Sequence, residues 1–119
     1  ADEMTIIDPG QAAANAVSHV PRRPATAIVY DSPDARSIVF RLAEGQQVPP
    51  HRSPSTVMLT VLFGHGIVSG ADGEKEVEAG EVIVYERGEL HGMRASEGSF
   101  VLLATITPRP GERAPLGVV

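Results

Sequence analysis

A chain of 119 residues with 42% hydrophobic composition carries enough apolar side chains for one core and is too short for a second domain. Ten basic residues stand against fifteen acidic ones, and the basic ones are scattered singly apart from Arg22-Arg23, which excludes the basic stripe that a nucleic-acid backbone requires. Cysteine is absent, so disulfides, thiolate nucleophiles and Cys-type zinc sites are excluded, and any chemistry must come from histidines, carboxylates, hydroxyls or a bound cofactor.

No apolar run reaches the length of a membrane span, and the first residues lack the basic, apolar and small-residue order of a secretion signal. A soluble, cytoplasmic chain with no membrane partner is the expectation. Aromatic residues are only 4% of the chain, so the core must be built from Val, Ile, Leu and Ala.

Residues 1–25 read as an N-terminal arm. Within it, residues 11–20 are Ala-rich and follow Asp8-Pro9-Gly10, which predicts one short helix ended by Pro21 and Pro24. From Thr26 to Thr107 short runs of Val, Ile, Leu and Thr alternate with Gly, Pro and Asp, the pattern of an all-β domain. The predicted strands are 27–30, 37–42, 56–63, 66–69, 74–77, 81–85, 92–95 and 100–107. Turn signals separate them, Asp72-Gly73 being the strongest hairpin signal. Residues 108–119, rich in Pro and Gly, cannot form a central strand and read as an extended or disordered tail.

Two of the runs, 57–63 and 100–106, are apolar at almost every position, which predicts burial on both faces. One face lines the interior. The other must be covered by a second sheet, by the arm or by a partner chain, and a homodimer is expected.

Two segments carry the chemistry. The first runs from Gly45 through His51, Arg52 and Ser53 to Gly64, and the second from Gly80 through Glu86 and Gly88 to His91. Their spacing resembles the two motifs of the cupin family, G-x5-H-x-H-x3,4-E-x6-G and G-x5-P-x-G-x2-H-x3-N. Gly45, His51 and Gly64 hold the first spacing, and Gly80, Gly88 and His91 the second. The resemblance covers about Thr26 to Thr107 and implies a jelly-roll barrel, the double-stranded β-helix of small RmlC-like cupins.

In that family two His and a Glu of the first motif join a His of the second around a divalent metal. Here Ser53 stands at the second His position, Val57 at the Glu, Glu86 at the Pro and Ala95 at the final Asn. Of the family ligands His51 and His91 remain as candidate metal ligands, and the resemblance implies at most one divalent ion, Fe, Mn, Ni or Zn. Two neutral imidazoles are a poor donor set for it.

Independently of the family, each of these histidines leads into a strand at the same end of the predicted barrel. Two inward-facing imidazoles around an apolar pocket can share a metal, hold an anionic ligand, or act as acid and base near neutral pH. They can also be remnants held by loop carbonyls. His65 and His19 read as surface residues, Glu86 as a solvated loop residue, and Arg52 and Arg94 as pointing away from the pocket. Tyr85 could supply a hydroxyl at the rim or simply pack.

No nucleophile elbow, phosphate-binding loop or H-E-x-x-H motif is present. No catalytic residue can be assigned. Three functional classes stay open. The leading one is a small-molecule-binding barrel whose ligand, partly hydrophobic with one acidic or carbonyl group, lies near His51, His91, Ser53, Val57, Leu59, Met93 and Tyr85. The second is a mononuclear metal enzyme of dioxygenase or isomerase type with an incomplete ligand set. The third is a structural dimer with a vestigial pocket.

Overall fold

The computed structural model describes residues 3–111. After a short helix, α1 (Pro9–Asn15), come nine strands: β1 (Ala25–Asp31), β2 (Arg36–Leu42), β3 (Gln47–His51), β4 (Thr56–Phe63), β5 (His65–Gly70), β6 (Gly73–Glu78), β7 (Val82–Tyr85), β8 (His91–Ala95) and β9 (Phe100–Thr107). They form a five-stranded sheet in the order β1-β2-β9-β4-β7 and a four-stranded sheet in the order β3-β8-β5-β6. Every pairing is antiparallel, and the sequence-distant neighbours β2-β9, β4-β9 and β3-β8 are the crossovers of a jelly roll.

All eight predicted runs are strands. A ninth, β3, was not predicted because Pro49 and Pro50 interrupt it. It sits at the edge of the four-stranded sheet, where missing amide protons cost no pairing, and its register to β8 shifts between Val48 and His51. The helix is shorter than its composition suggests. Asp8 caps it, the side chain accepting from Gln11 N at 3.0 Å, and it ends at Asn15 because Ala16 is extended and Val17 bridges to Thr26. The tail assignment for 108–119 lies outside the described residues beyond Gly111.

The inner faces of both sheets share one core. Ile38, Phe40, Leu42, Leu59, Phe100 and Leu102 are among its fully buried members, each contributing about 1.5–3 kcal/mol by leaving water. A second, smaller cluster lies on the outer face of the larger sheet, where α1 places Ala13 on Val39 and Val101. Arg41 fastens the helix there by donating to the carbonyls of Ala13, Ala14 and Ala16. Thus the arm covers one end of the doubly apolar strands. Toward the other end Met58, Val82 and Val84 stay exposed.

The barrel closes tightly around β5. A Cβ on Gly66 would meet the Phe100 ring at 2.4 Å and the Arg94 carbonyl oxygen at 2.8 Å, and backbone cannot yield there as a flexible side chain would. Gly66→Ala is therefore expected to destabilise the fold by about 1–3 kcal/mol. Urea unfolding of the variant measures it, and an unchanged midpoint would contradict the packing described.

Candidate functional site

Two loops at one end of the barrel are joined before any side chain enters the interior. Arg52 Nη1 donates to Gly88 O at 2.7 Å, and Gly88 N donates to Ser53 O at 2.8 Å. These bonds tie the segment after His51 to the segment before His91. Arg52 is thus spent on the backbone, as its outward direction implied. Between the two strands Gly92 permits close approach, for a Cβ there would lie 2.9 Å from Pro50 N and 2.9 Å from Ser69 Oγ.

His51 and His91 are register partners, and their ring centroids are 4.3 Å apart at 53°. His91 is buried and His51 half-buried. Each Nδ1 lies beside the carbonyl oxygen two residues earlier, Pro49 O at 3.0 Å and Glu89 O at 3.1 Å. A carbonyl can only accept, so Nδ1 is the donor in both contacts. The sequence pairing of these two residues is realised in space.

Tyr85 packs its ring 5.0 Å from His91 and donates its hydroxyl to Ser69 O at 2.7 Å. Burial pushes its phenol up to about 12, with the nearby charges of Glu89 and Asp72 adding to the shift, so it serves as a donor and not as a base. Val57, Leu59 and Met93 belong to the packed core beneath the pair, and Ser53 is buried with its Oγ accepting from Ser55 N at 3.2 Å.

The donor chemistry around the pair does not fit a divalent metal. Nδ1 bonds to carbonyls are the orientation that metal-ligating histidines use. The remaining positions, however, hold a hydroxyl occupied by a backbone amide and a valine, and among the described residues no group of three or more His, Cys, Asp or Glu is placed to hold an ion.

Other candidates lie away from the pair. His65 faces Ser96 Oγ at 3.5 Å and borders Glu76, Glu78 and Glu81, and Arg94 pairs with Glu74 at 3.0 Å. Glu86 is an exposed loop residue whose amide donates to Glu89 Oε1.

Sequence reasoning missed two features. One is Arg36, which lies in a single row with Ile106, Val57 and Tyr85 across the inner face of the larger sheet. It is buried, forks onto the Asp31 carboxylate through Nε and Nη2, and leaves Nη1 without a hydrogen-bond partner among the described residues. A charged residue opening a strand gave no signal of an inward direction. The other is a groove of about 760 Å³ along the seam between β1 and β3, bordered by Thr26, Phe40, Val48 and His51 and walled by the arm from Val17 to Pro24. His19, read as a surface residue, lines it.

A family model described as the cupin domain matches residues 38–106. No curated protein matches the sequence. Among solved structures, an uncharacterized conserved protein with a double-stranded β-helix domain from Klebsiella pneumoniae is similar at 21% identity, over 92% of this chain and 95% of that one, with a TM-score of 0.78. A protein from Thermus thermophilus aligns at 25% identity over 90% and 100% of the two chains, TM-score 0.79. An RmlC-like cupin protein from Desulfovibrio desulfuricans aligns at 28% identity over 79% and 91%, TM-score 0.69.

The Tyr85 phenol generates a pH dependence. Its folded pKa is raised above the ordinary 10, so the stability it confers is complete below pH 10 and is lost as pH climbs toward 12. Tyr85→Phe should cost about 1 kcal/mol at neutral pH through the lost bond to Ser69. Between pH 10 and 12 the variant should lose less stability than the wild type. Urea midpoints across that range measure both, and parallel curves would refute the assignment.

Proposed function

The chain belongs to the cupin family, and on that premise we propose that it is a small-molecule-binding barrel whose ligand lies in the seam groove and reaches His51 and, through it, His91. The groove carries the reading. Its volume of about 760 Å³ is the size of an organic ligand site, its walls are mainly apolar, and the half-buried ring of His51 borders it while resting on His91. The barrel interior itself is filled by Val57, Leu59, Met93 and Tyr85, so these residues support the pair from below and fix its position.

A mononuclear metal enzyme is the competing reading, favoured by the two Nδ1 contacts with carbonyls. Elemental analysis of protein purified without chelator or affinity nickel separates them. The expected result is metal well below one ion per chain, together with binding of the neutral probe octanamide that survives EDTA and weakens about tenfold in His51→Ala. Stoichiometric iron, manganese, nickel or zinc that disappears in His51→Ala and His91→Ala would overturn the binding reading in favour of the enzyme.

We also propose a second copy of the chain as partner. The outer face of the larger sheet carries an unbroken row, Tyr30, Ser37, Thr105, Met58 and Val84, across all five strands, flanked by Leu103, Thr60 and Val82. None of these side chains is charged, so two copies related by a two-fold axis would oppose no like charges there. Tyr30, Met58, Val82 and Val84 are exposed. Light scattering at micromolar concentration should give a dimer for the wild type and a monomer for Val84→Arg. A monomeric wild type would refute the pairing.

A further inference from the structure

The seam groove has a charge pattern opposed to that of the chain. Acidic residues outnumber basic ones fifteen to ten overall, yet among the described residues the groove is bordered by His19, Arg22, Arg23 and His51 and by no Asp or Glu. Neither Arg22 nor Arg23 forms an ion pair among the described residues. Two guanidinium groups uncompensated by carboxylates, set against an apolar wall, concentrate anions in the cleft.

The segment that carries them is held in place. Ser18 Oγ donates to Arg23 O at 2.7 Å, Arg23 N donates to Val20 O at 2.9 Å, and Gln46 Nε2 donates to Pro21 O at 3.3 Å and Arg23 O at 3.1 Å. Every one of these bonds uses arm backbone, so the chain that carries the two guanidinium groups is held in place without using them. Gln46 in turn sits at the turn before β3, whose far end is His51. The strand from Gln47 to His51 spans about 13 Å at the usual rise, which separates the cationic end of the groove from the imidazole end.

We propose, building on the binding reading above, that the ligand is an organic carboxylate with an extended apolar body roughly 10 Å long. Its carboxylate meets Arg22 and Arg23, whose forked donors match the geometry of two carboxylate oxygens. The body lies along Val20, Phe40 and Val48, and its far end reaches His51. The arm is therefore part of the binding site and selects the charge of the ligand.

Octanoate and octanamide, equal in length and differing in charge, test this by calorimetry on the full chain. Octanoate should bind about tenfold more tightly than octanamide, with the preference shrinking at high salt. The double variant Arg22→Gln, Arg23→Gln should bind the two probes equally. Equal binding of the two probes by the wild type, a preference that survives in the double variant, or no octanoate binding would each overturn the carboxylate assignment. His51→Ala keeps the two levels apart: if it weakens octanamide while the charge preference is absent, only this inference fails, and if it alters neither probe, the underlying reading fails as well.

Discussion

Backbone hydrogen bonding stops at the seam between β1 and β3, and the remaining architecture is arranged around that fact. Each of the two strands is the edge of its sheet, so apart from the Val17–Thr26 bridge each presents amides and carbonyls that no other described strand takes up. A short edge strand containing Pro49 and Pro50 presents few donors, and a bulge between Ile28 and Tyr30 breaks the regularity of the other edge. The seam is thereby kept from being a template for a further strand. The groove runs along it, with Phe40 and Val48 among its apolar lining residues.

The arm depends on the same opening. Its helix is anchored by Arg41 on the outer face of the larger sheet, while its extended part is drawn across the end of the seam by Gln46 and the Val17–Thr26 bridge. A seven-residue helix is too short to be stable alone, so its position follows from packing of Ala13 on Val39 and Val101. The helix that buries part of the doubly apolar strands thus also fixes the start of the segment bearing His19, Arg22 and Arg23.

Much of this was legible in the chain. The eight β runs and the His51–His91 pairing follow from periodicity and from the two glycine-punctuated segments, because those signals are local or tied to spacing. What escaped is long-range. That Pro49 and Pro50 sit in a strand depends on β8 having a free edge, and that residues 17–24 wall a groove depends on side chains at 41 and 46 reaching back to the arm. Arg36 escaped for a similar reason. Its inward direction is tolerable only because Asp31, directly opposite on β1, supplies a forked carboxylate, and the same guanidinium holds the Asp31 carboxyl below its usual range.

The position at Val57 is taken up by core packing. Its side chain is fully buried in the row that runs from Arg36 to Tyr85, packed with Leu59 and Ile106. A carboxylate placed there would have to be desolvated among aliphatic neighbours, which costs several kcal/mol unless a cation compensates it. The chain instead gains core packing at that point and retains the imidazoles above it. Their Nδ1 atoms lie beside the Pro49 and Glu89 carbonyls, and these contacts orient both rings. The arm, outside the barrel, contributes Arg22 and Arg23 to the same groove that His51 borders.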